Sequence, residues 1–575
     1  MNSINRQQVS TIREETMLSD FDVNNIQDAP AARDAIVMLL NMIENIKQEN
    51  QELKEQNQCL KDEINRLKGE QGKPKVKPNK SDKSDDDKSA SSDYSSEKER
   101  SRKGEKWKKN AKTQRIVINE TKVRSVDQQI LPPNAEFKGY VDVTVQDIII
   151  QPHNILFRKG KYYSPSTKKA YLADLPAGYH GEFGPGIKAF AITHYFQADV
   201  SQPKILELLA DVGIIISAGQ LSNFLIKKQE PFHNEKDALY KAGIQSTPWQ
   251  HIDDTSTRVN GKNQYCQVVC NPFYTAYFTT ENKTRLNIID VLTNSSERTY
   301  CLNQTAFDFL NKSRIAEKVT AKLNSLPQEQ FFNDKQFTQL LDESLPKLGP
   351  RQRNLILDAA AVAAYHAQTD FPIIQTLLCD DAPQFKDITE ELSLCWVHDG
   401  RHYKKLTPFM LYHQQLVADF LGKYWDYYHE LPDYKKHPTN NLAENLGEKF
   451  DDIFSTVTGY DALDERIAKT KAKKQYLLLV FKYPDIPLHN NPAELGARQR
   501  VRKRDVSFGT RNKEGVKAWD TFMTLAETAK KLGVSFCKFV YDRISEDYTM
   551  PSLAGLIDQR VVLFLSPSSD PKFPP

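Results

Sequence analysis

Three carboxylates define the chemistry this chain can attempt. Asp253 lies in WQHIDDTSTRV (249 to 259), Asp380 closes the apolar run of PIIQTLLCDDAPQF (372 to 385), and Glu494 sits in IPLHNNPAELGARQRVRKR (486 to 504). Brought together, three carboxylates with no basic partner between them repel strongly. Such a set is stable around divalent cations, and hard oxygen donors select magnesium or manganese. Two ions about 3.5 to 4 Å apart serve an in-line displacement at phosphorus, so the implied reaction is phosphoryl transfer on DNA. A basic strip behind Glu494, formed by Arg498, Arg500, Arg502, Lys503 and Arg504 and continued by Arg511 and Lys513, offers contacts to phosphates with a steep salt dependence.

Each acid has a bland alternative. An Asp at a strand end is commonly a turn or cap residue, and a Glu in a first helical turn complements the helix dipole. Asp254 and Asp381 compete with their neighbours, and Asn440 to Glu444 repeats the Asn-Asn-x-Ala-Glu pattern around Glu494. Glu444 is followed by Glu448, Asp451 and Asp452, an acidic surround that opposes a phosphate backbone, so Glu494 is preferred.

The elements that must position these residues follow from periodicity. Residues 249 to 259, 263 to 271 and 273 to 281 alternate and are rich in branched and aromatic side chains, with an Asn-Gly turn between the first two. They predict a three-strand meander. Residues 372 to 385 predict a buried fourth strand that ends at Asp380, and LSLCWVHD (392 to 399) a further strand. Asn490 and Asn491 predict a helix start through side-chain caps, with Pro492 suited to the first turn. The expected fold is an α/β mixed sheet covered by helices.

The flanking regions have a different texture. Ile36, Ile43, Asn50, Asn57 and Ile64 fall on one heptad position, and Leu39, Ile46, Leu53, Leu60 and Leu67 on the other. That repeat predicts a parallel coiled coil over 33–68, and asparagines at the first position favour a dimer in one register. Before it lies a polar segment, 1–32; after it, 69–115 is a charged, apolar-poor linker whose basic end holds Trp107. Residues 116–180 read as a β-rich module, with a strand over 141–150 and a Lys-Gly turn within 157–163. Residues 181–245 read as helical, with a break at Gly213 compatible with a helix-turn-helix. The catalytic core then spans 246–400 with a helical insertion at 302–370, followed by a helical insertion at 401–485, the Glu494 helix and basic part at 486–550, and a tail at 551–575.

Composition sets outer bounds. A formal net charge of +3 over 575 residues gives no whole-chain field, so any nucleic-acid case rests on local clustering. Seven cysteines form no dense framework and no apolar signal segment opens the chain, which predicts a reducing, cytoplasmic setting. No apolar run is long enough to span a bilayer.

Taken together, HIDDTSTRVNG, LLCDDAPQF, LCWVHDGRHYKKL and the long stretch from Ile486 to Val534 resemble the insertion sequence 66 family of DDE transposases, over roughly 180 to 545. The resemblance implies an RNase H-like core with magnesium, an acidic triad at Asp253, Asp380 and Glu494, and DNA, as element ends and target, for a substrate. It implies a homodimer or higher homo-oligomer in the bacterial cytosol, associated with the nucleoid. The family's Asp-Glu-Thr corresponds to Asp253, Asp254 and Thr255, and its Cys-Trp-x-His element to Cys395, Trp396, Val397 and His398, read as structural or as strand positioning. Two departures stand out. No cysteine occurs between Cys59 and Cys266, so the zinc ribbon of many relatives is replaced by a zinc-free module, and the segment between the third and fourth strands is long for the family. The alternative reading is a catalytically inactive, coiled-coil dimeric DNA-binding or scaffold protein derived from a transposase.

Overall fold

The computed structural model describes residues 29–67, 117–127, 131–132, 135–295 and 297–565. The first 28 residues, the linker expected at 69–115 with Trp107, and the last ten residues lie outside the described residues.

A single helix, α1 (Ala29–Leu67), comes first, and a hairpin of β1 (Lys161–Ser164) and β2 (Lys169–Leu172) follows. Four helices lead into the sheet: α2 (Pro185–Phe196), α3 (Gln202–Asp211), α4 (Ala218–Ile226) and α5 (Glu230–Gln245). The meander is β3 (Trp249–Val259), β4 (Lys262–Cys270) and β5 (Thr275–Thr280). The insertion runs through α6 (Arg285–Thr293), β6 (Thr299–Cys301), α7 (Gln304–Lys312), α8 (Glu317–Asn324), β7 (Phe331–Asn333), α9 (Asp334–Ser344) and α10 (Pro350–Ala367). Strands β8 (Thr376–Cys379) and β9 (Glu391–Leu394) complete the sheet. Then come α11 (Trp396–Lys404), α12 (Leu411–Lys436), α13 (Asn440–Ile453), α14 (Asp461–Lys471) and α15 (Lys474–Leu477). The described residues end in α16 (Asn491–Ser507), α17 (Lys513–Lys531), α18 (Phe536–Ile544) and α19 (Leu553–Leu565).

The central sheet has the order β5-β4-β3-β8-β9, with β3, β4 and β5 antiparallel and β3, β8 and β9 parallel. Alternation along β4 sends Val268 and Cys266 to a face covered by Ala497 of α16 and Met523 of α17. Val269 faces the other way, into the main core with Ile252, Leu377 and the alanine run of α10. Both faces are therefore covered, as the near-continuous apolar run of β8 requires. The long insertion leaves the sheet order intact, because it folds into its own helices and a small β6–β7 pair on one side of it.

Two expectations fail in the flanking regions. The strand expected over 141–150 is absent; Val141, Val143, Val145 and Ile148 are exposed on irregular backbone. Alternation alone does not hold a strand without a neighbour to pair its backbone groups. The hairpin of this region turns after Ser164, further along than the Lys-Gly step at 159–160. The helical pair α3–α4 forms as read, with Gly213 left-handed at φ 81° and Ser217 capping α4 through Gln220 N.

Helix α1 uses two faces differently. Val37, Asn41 and Glu44 turn towards the helices after β9: Asn41 bonds Gly459 O, and Val37 lies against Gly459. The buried Glu44 carboxylate accepts from Phe409 N at 2.5 Å and Met410 N at 3.0 Å, satisfying the start of α12, and also meets His413 at 3.3 Å. The heptad residues Ile36, Leu39, Ile43, Ile46, Leu53, Leu60 and Ile64 are all exposed. Glu44→Ala leaves two partly buried N–H groups without their acceptor, at on the order of 1 kcal/mol each. Limited trypsin digestion is expected to cut the variant faster at Arg33 and Lys47; an unchanged digestion pattern would contradict the docking.

Candidate active site

The register of β3 and β8 brings the first two carboxylates level. His251 pairs with Leu378 in the parallel ladder, so Asp253 and Asp380 each lie two residues beyond the last pair, on the same face of neighbouring strands. Their sequence rivals are engaged elsewhere. Asp254 receives Gln384 at 3.0 Å and Lys283 at 3.5 Å, and Asp381 is held by Lys473 at 2.7 Å and Lys386 at 2.9 Å. Glu444 is exposed on α13.

Glu494 arrives on the first turn of α16, which lies very close to the sheet. A Cβ on Gly496 would stand 2.7 Å from Val268, and Tyr277 bonds the Gly496 carbonyl at 3.2 Å. Asn490 marks the helix start but makes no cap with its side chain. Its Nδ2 donates to Ile252 O at 2.8 Å and its Oδ1 faces His251 Nδ1 at 2.9 Å. Burial pushes His251 down to about 3, so the ring is neutral, and the amide orientation makes Nδ1 the donor. The backbone N–H of Asn490 reaches Cys395 Sγ at 3.2 Å. One buried asparagine thus ties the Glu494 helix to β3 and to the start of α11.

Asp253, Asp380 and Glu494 line one open cavity of about 270 Å³ together with Cys395, His398, Arg401 and Arg498. Burial raises the Asp253 carboxyl to about 7, aided by the nearby Asp380 and Glu494 charges and opposed by its hydrogen bond from Asp254 N. Asp380 is also raised, by burial first, with His398 working against it. Because the folded state of metal-free protein favours neutral Asp253, this stabilising effect is full below about pH 4 and is lost as pH rises through about 7. At about 1.4 kcal/mol per pH unit the loss is up to about 4 kcal/mol. In chelator, Asp253→Asn is expected to melt above the parent at pH 8, with the gap closing near pH 4; equal melting at both pH values would contradict the assignment.

The expectation of no basic partner is corrected here. Arg401 grips Glu494 with both nitrogens, at 2.8 and 2.9 Å. Among the described residues no group of three or more His, Cys, Asp or Glu side chains is arranged to hold a metal ion. The all-oxygen donors Asp253 and Asp380 fit a hard divalent cation in chemistry. Glu494 fits the same ion on exchanging Arg401 for it.

The Cys-Trp-x-His element divides by burial. Cys395 caps α11, accepting from His398 N at 3.3 Å, and burial pushes its thiol up to about 11. Trp396 is fully buried and donates to Leu477 O at 2.8 Å. Cys395 and His398 line the cavity, while Trp396 does not. Segment 392–399 is a strand only to Leu394 and then a helix, which places His398 and Arg401 on one face at i, i+3. The expected strand, 392 to 399, stops short of Arg401, so the pairing of Arg401 with Glu494 goes unnoticed.

Residues 362–518 match the family model described as transposase IS66 family. The uncharacterized protein y4jO of Sinorhizobium fredii is 33% identical over 326 residues, 56% of this chain and 99% of that protein. The chain belongs to the transposase IS66 family.

Asp380, Arg401 and Glu494 of this IS66-family chain lie inside the segment matched by the model, and Asp253 precedes it. The basic strip of α16 is only partly a surface. Arg500 is fully buried, stacked over Trp519 at 4.8 Å and paired with Asp520 at 3.2 Å. Lys503 is buried too, 3.4 Å from the Tyr195 ring centroid and bonded to Tyr195 O, and burial draws its ammonium down to about 7. These two clamp α16 to α17 and α2, and both are withdrawn from the expected phosphate contacts. Arg502, Arg511 and Lys513 are exposed, Arg504 holds Ser256 O at 2.7 Å, and Arg498 lines the carboxylate cavity. Among the described residues no helix is long and apolar enough to cross a membrane.

Proposed function

We propose that this chain is a DNA transposase that cleaves and joins insertion-sequence ends by magnesium- or manganese-dependent phosphoryl transfer, on an RNase H-like sheet. The observation that carries the reading is the convergence of Asp253, Asp380 and Glu494 on one cavity, from three separate elements of the chain. Asp253, Asp380 and, once released by Arg401, Glu494 would hold the divalent ions. When bound, the metal supplies charge stabilisation at phosphorus and a more acidic attacking hydroxyl. The chain's own groups do the positioning. Asn490 fixes the Glu494 helix, His398 faces Asp380, and Arg498 lies at the cavity wall for a phosphate oxygen.

A second cavity of about 300 Å³ shares Asp380 and His398 and continues to His402, Arg466, Lys469 and Lys473. Arg466, Lys469 and Lys473 are paired there with Asp399, Glu465 and Asp381, and a strand leaving the carboxylates would compete for these cations. The exposed heptad face of α1, opposite its docked face, supports a homodimer through a coiled coil. With the transposase chemistry comes a cytoplasmic, nucleoid-associated setting.

The inactive DNA-binding or scaffold reading has one observation on its side: Arg401 occupies both oxygens of Glu494. The two readings part on one experiment. Full-length protein is incubated with DNA carrying the ends of its own element, with magnesium, manganese or chelator. Metal-dependent nicks and joined products support the transposase; retained DNA binding with neither product under any metal supports the inactive protein.

A further inference from the structure

Beyond the end of α16 lies a second cavity-forming feature that the carboxylate chemistry does not use. Phe508 terminates the helix in the left-handed region, φ 59° and ψ 0°, with its side chain 86% exposed. A bulky residue rarely takes that conformation, and such strain persists only where the surroundings impose it. Here they do so from both sides. Phe508 N bonds Arg504 O at 2.7 Å; beyond it, Thr510 N bonds Arg258 O at 3.1 Å and Asn260 N bonds Thr510 O at 2.7 Å. Gly509, at φ 109°, is pressed so close to the Arg258 carbonyl that no Cβ fits. The loop is thereby stitched to β3 and cannot draw the ring inward.

Phe508 forms part of a cavity of about 590 Å³ between this loop and the α3–α4 hairpin, lined also by Tyr195, Trp519 and Arg511. The exposed Phe508 ring beside this cavity offers a face to a planar ligand. Basic side chains accompany the ring: Arg511 lines the cavity and Arg258 lies against Gly509, with Asp505, which meets Arg504 at 3.4 Å, and Glu514 the acidic residues of the same stretch.

We propose that this cavity receives an unpaired nucleobase of the DNA, stacked on Phe508, with Arg511 beside it for the adjoining phosphate. The inference rests on the DNA-transposase reading for its choice of ligand. Its position along the strand follows from two independent measures. Asp253 and Arg258 are five residues apart on β3, about 17 Å at about 3.3 Å per residue. Glu494 and Phe508 are separated by fourteen residues of α16, about 21 Å at about 1.5 Å per residue. At about 3.4 Å per nucleotide, the extruded base lies about five to six nucleotides from the phosphate at the carboxylates.

The test is binding of full-length protein, in chelator so that nothing is cut, to a paired duplex and to the same duplex carrying one bulged base. Aromatic stacking gives the bulged duplex an expected advantage of about 5- to 150-fold. Phe508→Ala should erase that advantage while duplex affinity holds, and Phe508→Trp should keep it. Phe508→Gly separates folding from recognition, since glycine accepts φ 59° freely: its melting temperature should equal or exceed the parent's while the advantage disappears. No advantage in the parent, or an undiminished one in Phe508→Ala, overturns the proposal. Asp380→Asn should retain the advantage, so loss of the catalytic reading through normal cleavage by that variant leaves this result independent.

Discussion

Asp380→Asn is expected to lower metal-dependent DNA cleavage by at least about 10³-fold while DNA affinity stays within a few-fold. The carboxylate lies just past the end of β8, level with Asp253, and burial raises it despite His398, the hydrogen bond from Ala382 N and Lys283 working the other way. Asparagine keeps the shape and the Oδ1 acceptor that receives Ala382 N at 3.1 Å, so the strand end should hold. It removes the anionic donor, and with it several kcal/mol of charge stabilisation at phosphorus, which is about three decades in rate. Single-turnover cleavage of pre-bound DNA measures the step directly. Cleavage within tenfold of the parent would remove Asp380 from the site.

Asn490→Ala is the second large effect, and its size distinguishes two roles. A helix cap replaced by alanine costs about 1 kcal/mol. Asn490 is instead a buried bridge: its loss leaves His251 Nδ1 and the Ile252 carbonyl unpaired at about 1 to 3 kcal/mol each. We expect a destabilisation of about 2 to 5 kcal/mol in urea unfolding. A further fall of about 10²-fold in cleavage is expected under conditions where the variant remains folded, because Glu494 loses its tether to the strand that carries Asp253. A stability loss near 1 kcal/mol with normal cleavage would restore the simple cap.

Why the carboxylates were legible in sequence and the cavity around them was not follows from periods. Strand alternation in 249 to 281 and the apolar run before Asp380 set out the sheet, and the Asn-Asn-Pro start set out the helix. Nothing local states that β3 lies beside β8, since that pairing spans the whole helical insertion. Calling 396 to 399 a strand hid Arg401, the residue that neutralises Glu494. The basic strip misled for a related reason. Ala493, Gly496, Ala497, Arg500 and Lys503 recur at three- and four-residue spacing, which is a buried face, and two of its members happen to be cations satisfied by aromatic rings, Asp520 and a carbonyl. Counting charges showed a surface; placing them on a helical wheel would have shown an interior.

Helix α1 joins a docked face to an unpartnered one, and in the proposed dimer that makes it a ruler. Glu44 and Asn41 fix it against the helices that border the carboxylates, so the register between two copies also sets how far apart their cavities lie. A slip of one heptad moves one copy about 10.5 Å along the other, about three base pairs of DNA. Such a slip leaves one Asn50 opposite Ile43 and one Asn57 opposite Ile64, polar against apolar. In the proposed dimer, the spacing of the two carboxylate cavities is then fixed by a pair of asparagines remote from both.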